Sequence, residues 1–346
     1  MDDMNLLREF GRELEHEPPA SLARQRNRLT GKARRPFFAR PGGFAVLGAV
    51  AAVTAAAVLV PTVVLNGHAG RTLPLPPGEM ANGDDLRSDL NVLVLGTDSR
   101  EGANGAYGRK GPGERSDTIM VAHIPADGTK VRVVSLPRDL MVRLPSCRTT
   151  AGGTSPGHTG LINEAYTIGG AACSKKAVES LTGLRLNHVV EIDFTGLKKI
   201  VDAVGGVEIT LPKAVDDRGS GLKLPAGRHL VRGETALAYV RARHGLGDGS
   251  DLGRIERQQL FVKSLLGRAA KVRTDPVKMT RLVRAFAAAV RSDGNLTVQR
   301  MLTIAASVGG AEDAAFSTVP WAPYPADPSR IQLRQPQAER LFTSLR

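Results

Sequence analysis

Aromatic residues make up only 4% of this 346-residue chain, and there are two cysteines, Cys147 and Cys173. Hydrophobic residues still reach 42%, enough for a sizeable core, and the length exceeds one typical domain without clearly making two. No GxxxxGK[ST] stretch occurs, which excludes a Walker-type phosphate loop. The missing HExxH pattern excludes a zincin helix, and no nucleophile elbow is expected. No His or Cys sits at ligand spacing from the cysteines, so a cysteine metal site is not expected. No internal repeat period is evident. Acids are outnumbered by bases, 34 to 47, and the net charge of +13 favours anionic partners: nucleic acid, an anionic membrane or a phosphorylated substrate.

Charge is wholly absent from residues 43–65, GFAVLGAVAAVTAAAVLVPTVVL. At about 1.5 Å rise per residue this run can cross a hydrocarbon core of about 30 Å. A buried core helix would carry a polar stripe, and a secretory signal has an apolar region of about 7–15 residues near the start. The run therefore reads as a retained transmembrane helix. Arg24, Arg26, Arg28, Lys32, Arg34, Arg35 and Arg40 precede it with no acid among them, which places the N-terminus in the cytoplasm and the rest outside. The basic cluster is then a topology signal that also meets lipid headgroups, and nucleic acid is not an expected partner.

This gives a cytoplasmic basic tail (1–42), the transmembrane helix (43–65), a Pro- and Gly-rich extracytoplasmic linker (66–87), a catalytic domain (88–272) and a C-terminal helical part packing on it (273–346). Strands are expected at 91–95, 118–124, 130–136, 188–193 and 207–211, with a hairpin turn at Pro125–Gly128. Helical spacing marks 174–181, 194–204, 234–240, 252–270 and most of 276–306, with a last strand near 316–320. The mixture points to one α/β domain built on a mixed sheet with helices on both faces, preceded by the transmembrane helix. Disulfides persist outside the cytoplasm, so Cys147 and Cys173 are expected to close a loop over AGGTSPGHTG, worth about 3 kcal/mol; reduced buried thiols are the alternative.

Four features carry candidate chemistry. Asp98 in LGTDSR and Asp117 in ERSDT lie at strand ends and could share Mg²⁺, or could each cap a turn. Arg138 in SLPRDL follows a strand, and Asp139 could hold it as an anion clamp or as an ordinary ion pair. Arg241 and Arg243 can serve one site only if their helix ends between them. Asp251, Arg254 and Gln258 then recur on one helical face, with Arg257 nearby. Several guanidiniums, an amide and two acids suit a pyrophosphate with Mg²⁺, although a solvated basic surface is the plain alternative. His244 is a weak candidate base.

In their order, NVLVLGTDSR, RSDTIMV, VVSLPRDLMV, INEAYTIGG, DFTGLKKIVDAVGGVEI, GETALAYVRARH and GDGSDLGRIERQQ resemble the LytR-CpsA-Psr proteins of Gram-positive envelopes, over about residues 89–270. The cysteine pair resembles the actinobacterial branch. The resemblance implies an α/β domain whose apolar tunnel holds a polyprenyl chain. It also implies transfer of a glycopolymer, with its linking phosphate, from polyprenyl pyrophosphate to a peptidoglycan hydroxyl. Carried over, Asp98 and Asp117 would hold Mg²⁺; Arg138, Arg241, Arg243, Arg254 and Gln258 would bind pyrophosphate; Arg100 and Asp251 would support the site. Leu161 departs from the family, whose members often carry Lys there. Hydrolysis of the same lipid, or lipid binding by a non-catalytic envelope regulator, are the rival functions.

Overall fold

Alternation builds the central sheet. In Leu90–Thr97, Leu93 and Leu95 are fully buried in one hydrophobic cluster, while Val92 packs into a second cluster on the opposite face. A period of two sends neighbours to opposite faces, so an apolar strand of this kind needs cover on both sides. The computed structural model describes residues 71–73, 88–99, 102–107, 115–127, 130–246, 250–271, 275–307 and 314–346. All of them fall within one unit, residues 60–346.

In chain order the strands are β1 (Arg71–Thr72), β2 (Leu90–Thr97), β3 (Ser116–Ile124), β4 (Arg132–Leu136), β5 (Met141–Leu144), β6 (Cys147–Arg148), β7 (Thr154–Ser155), β8 (His158–Leu161) and β9 (His188–Ile192). Then come β10 (Val207–Leu211), β11 (Val215–Asp217), β12 (Leu222–Leu224), β13 (Gly227–Val231), β14 (Val290–Ser292), β15 (Ala315–Thr318), β16 (Trp321–Tyr324) and β17 (Asp327–Leu333). The helices are α1 (Glu164–Thr182), α2 (Phe194–Ala203), α3 (Gly233–Arg241), α4 (Asp251–Ala270), α5 (Pro276–Ala289), α6 (Val298–Ser307) and α7 (Gln337–Thr343).

Seven strands form a mixed sheet in the order β1-β14-β9-β2-β3-β4-β15. β2 pairs antiparallel with β3, Leu93 opposite Val121, and parallel with β9, Leu93 opposite Val189. One face packs Leu93, Leu95, Ile119, Val121, Val134 and Leu136 against residues of α1 and α7, including Ala177, Val178 and Phe342. On the other, Val92 and Val190 meet Ile200 of α2 and Val283 and Ala287 of α5. Fully burying a large aliphatic side chain is worth about 1.5–3 kcal/mol, which is why neither face can be left open. The domain is thus a mixed α/β fold with helices on both faces, as the sequence implies.

Three expectations need correction. Arg71 and Thr72, within the expected linker, form β1 and pair with β14, so sheet hydrogen bonding begins before residue 88. Residues 273–346 are not simply a helical part: they give β14 and β15 to the central sheet and add the β16–β17 hairpin. The apolar run AAAV closing α5 serves equally as helix and strand, so helical spacing missed the switch at Val290. Helix α1 starts at Glu164, ten residues before the expected helix, because Gly169 and Gly170 kink it without ending it. Among the described residues no helix is long and apolar enough to cross a membrane. The expected tail and transmembrane helix, residues 1–42 and 43–65, lie outside those residues.

Candidate active site

The ends of β2, β3 and β4 bring the first charges together. Asp98 follows β2; its Oδ1 accepts from the Arg115 backbone N–H at 2.9 Å, and its own N–H donates to the Arg115 carbonyl at 3.2 Å. Asp117 lies near the start of β3. Arg138 follows Pro137 after β4 and donates from Nη1 to Asp117 Oδ1 at 2.9 Å. It grips Asp251 at the start of α4 with Nε at 3.1 Å and Nη2 at 2.9 Å. Such forked contacts fix a guanidinium in angle as well as position. Burial disfavours the Arg138 charge, but Asp117, Asp251 and Asp139 outweigh it and raise its pKa.

Asp139 is therefore not the main holder of Arg138. Its nearest oxygen lies 3.6 Å from Arg138 Nε, and it also faces Arg330 at 3.4 Å. Burial and the neighbouring Asp251 raise the Asp139 pKa. Burial acts upward on Asp251 too, but Asp139, Arg254 and Arg138 leave it lowered. The pair thus has one carboxyl inclined to hold a proton and one inclined to release it.

Helix α4 presents Asp251, Arg254 and Gln258 as the spacing implies. Ser250 caps it by accepting from the Gly253 N–H, and Arg254 pairs with Asp251 at 3.1 Å. Arg254 and Gln258 are buried, and burial, then the nearby Arg138, lowers the Arg254 pKa. Gln258 accepts a hydrogen bond from Thr118 Oγ1 at 3.2 Å.

Helix α3 ends at Arg241, and Ala242 leaves the helical conformation at φ −59°, ψ 134°. This break lets Arg241 and Arg243 line one cavity. Arg241 lies 4.9 Å from the Phe194 ring centre and 5.5 Å from that of Tyr107, a cation–π seat. The two rings meet edge to face at 5.3 Å, and Tyr107 donates to Glu234 at 2.7 Å. Arg243 is placed by its backbone: its N–H donates to buried Asp217 at 2.8 Å, and the His244 N–H to the same oxygen at 3.3 Å. Burial pushes the Asp217 pKa up, but these N–H donors and Ser220 hold it below the ordinary value.

Arg257 has a different duty, clamping the Leu246 and Ala242 carbonyls at 3.2 and 2.9 Å. Arg100 lies outside the described residues. Sequence reasoning missed Asp217, Tyr107 and Phe194 as supports. The only local sign was Phe194 at a helix start; the contacts themselves join distant segments.

Asp98, Asp117, Arg241, Arg243 and Arg254 line a cavity of about 480 Å³ with Val94, Met120, Leu197, Leu237 and Phe261. The charged groups gather at the strand ends, and the apolar ones come from mid-strand and the covering helices. The arrangement suits an amphipathic anion. Asp98 and Asp117 offer hard oxygen ligands on this one cavity. Among the described residues no group of three or more His, Cys, Asp or Glu forms a protein-only cage. The pair thus fits a cation that completes its shell with water and substrate oxygens, the habit of Mg²⁺.

The sequence pattern of the LytR_cpsA_psr family matches residues 74–345. The chain belongs to that family. Corynebacterium glutamicum LcpA, named a cell wall biosynthesis protein, is 32% identical over 285 residues, covering 74% of this chain and 55% of LcpA. Enterococcus faecalis TagU, named a polyisoprenyl-teichoic acid–peptidoglycan teichoic acid transferase, is 33% identical over 180 residues, 52% of this chain and 54% of TagU. The chain spans little more than half the length of either relative. The corynebacterial match agrees with the actinobacterial branch. The LytR-Csp2A-Psr enzyme from Actinomyces oris shares the LytR_cpsA_psr fold at a TM-score of 0.62 and 22% identity, over 81% of this chain and 96% of that one.

Proposed function

We propose that the chain is a membrane-anchored phosphotransferase of the cell wall. It moves a glycopolymer, with its linking phosphate, from polyprenyl pyrophosphate to a peptidoglycan hydroxyl. The observation that carries this reading is one cavity that gathers three arginines and four aspartates and is also walled by apolar residues such as Val94, Met120, Leu197, Leu237 and Phe261. A polyprenyl pyrophosphate has the same two characters. The TagU relative, named a polyisoprenyl-teichoic acid–peptidoglycan teichoic acid transferase, supports the assignment.

In this reading Arg138, Arg241, Arg243 and Arg254 orient the pyrophosphate and stabilise charge growing on the leaving phosphate. Asp98 and Asp117 would hold Mg²⁺, which when bound neutralises charge on the phosphate oxygens. The acceptor oxygen forms a new O–P bond as the bridging O–P bond breaks, and polyprenyl phosphate departs with the electron pair. The hydroxyl proton goes to Asp139, the carboxylate beside Arg138 whose pKa is raised. Asp251 is less free for this role, since Arg138 grips it through two nitrogens. Residues 43–65 would anchor the chain with its N-terminus in the cytoplasm and the domain outside, raising the effective concentration of a lipid-linked donor.

The test uses the full chain in detergent micelles with a synthetic polyprenyl-pyrophosphate oligosaccharide, Mg²⁺ and peptidoglycan oligomers. Mass spectrometry should find a glycan–phosphate–peptidoglycan adduct that Arg138→Ala fails to make. Only released glycan phosphate would identify a hydrolase, and binding without turnover would identify a lipid-binding regulator.

A further inference from the structure

A second and larger cavity, about 740 Å³, adjoins the first. Arg243 lines both. Arg138 lines the larger one, while its partner Asp117 lines the smaller. An anion held by these two arginines therefore sits at the border of two spaces. The smaller takes many apolar residues on its walls; the larger adds Arg115 and Arg330 to these two arginines and is otherwise walled by Ser155, His158, Asn163 and Glu164, with Leu161 and Ile168 as its apolar patch.

That wall is held fast. The Cys147–Cys173 disulfide ties β6 to α1, the Thr150 N–H donates to the Ile168 carbonyl at 3.1 Å, and Lys176 donates to the Ser146 carbonyl at 2.8 Å. A Cβ on Gly169 would stand 2.4 Å from the Arg148 carbonyl oxygen, so only glycine lets the loop seat this closely on α1. His158 and Glu164 face each other across 3.5 Å, each more than two-fifths exposed, and so are open to a ligand. Beyond the arginines, carboxylate, amide, hydroxyl and imidazole groups beside a small apolar patch fit a hydroxyl-rich ring with one apolar face. The volume lies in the range of small-molecule sites, about 300–1,000 Å³.

We infer that this cavity is the acceptor subsite, which holds a sugar ring of the wall glycan with its hydroxyl turned toward the phosphate. The inference rests on the transferase reading. Phosphoryl transfer needs the attacking and leaving oxygens roughly in line. The leaving polyprenyl phosphate stays with its lipid in the apolar cavity. The attacking hydroxyl must then arrive across the arginines, from the other cavity, which Asp139 also lines. Leu161 contributes an apolar surface here, suited to stacking under a sugar ring rather than to binding another anion.

Glu164→Gln and His158→Gln test this in the full chain, with the donor and peptidoglycan oligomers varied separately. The KM for the acceptor should rise about tenfold or more, with the KM for the donor and equilibrium donor binding unchanged; retained donor binding also shows that the variants fold. An unchanged acceptor KM overturns the proposal. A rise in donor KM instead would assign the cavity to the donor's own glycan and equally overturn it. If the wild-type chain makes no adduct, the transferase reading fails by itself. Direct titration with a peptidoglycan disaccharide-peptide then decides the subsite: saturable binding weakened tenfold by Glu164→Gln supports it, and absent binding overturns it.

Discussion

Arg138 and Asp117 are joined by a 2.9 Å hydrogen bond, and each lines a different cavity. The pair forms part of the partition between an apolar space and a polar one. Removing the guanidinium takes away the fixed charge at the border and leaves Asp117 and Asp251 facing each other without it. Arg138→Ala is expected to lower kcat by about 10²–10³-fold, the scale of losing one preorganised charge stabiliser. Adduct formation at saturating donor measures this. Arg138→Lys should recover little, because an ammonium cannot reproduce the forked grip on Asp251.

Asp139→Asn should slow transfer by about 10²–10⁴-fold if the carboxylate is the general base. The pH profile separates this from a structural role. The raised Asp139 pKa places the acidic limb of wild-type kcat/KM above the ordinary aspartate value of about 3.9, with activity lost as pH falls through it. The variant should lose that limb. A limb that persists in Asp139→Asn assigns the proton elsewhere.

Asp217→Ala removes the carboxylate that accepts from the Arg243 and His244 N–H groups and leaves every cavity guanidinium in the sequence. Donor affinity should fall several-fold, with the Arg138-dependent part of kcat less affected. Isothermal titration with a short-chain prenyl pyrophosphate would show it. A Phe194→Leu variant should weaken binding less, since it removes only a cation–π seat worth about 0.5–2 kcal/mol.

Stability should depend on pH through Asp293. It is buried and accepts from His188 Nδ1, at 3.1 Å, and from the Val189 N–H, at 2.8 Å, stitching β9 to the end of β14. Burial raises its pKa, but the His188 and backbone contacts leave it net lowered. A lowered folded pKa gives stability that is full above the unfolded value of about 3.9 and is lost as pH falls through the folded value. Asp293→Asn should cost about 3 kcal/mol at neutral pH by breaking a buried pair. Urea unfolding should show the gap to wild type closing below about pH 4. A gap that stays constant with pH would remove Asp293 from the acid response.

Cutting the disulfide, by Cys147→Ser with Cys173→Ser, opens a link across 26 residues and should lower stability by about 3–4 kcal/mol. The loop also walls the larger cavity, so the acceptor KM should rise more than the donor KM.

The sequence by itself determined the strands and helices whose pattern is local. β10 matches 207–211, and α4 begins one residue before the expected 252, because alternation and helical spacing are written in consecutive residues. It also put Asp251, Arg254 and Gln258 on one helical face, and it made a helix end between Arg241 and Arg243 the condition for their sharing one site; α3 does end at Arg241. Tertiary structure alone decided the partners. Asp251 reaches Arg138 from 113 residues away, Asp217 reaches the Arg243 N–H from 26, and Tyr107 reaches Glu234 from 127. Residues 290–292 became a strand because β9 offered an open edge to pair with, not because their local preference required it. Hydrogen bonds and ion pairs act over a few ångströms in space, and only the folded path of the chain brings such distant residues that close.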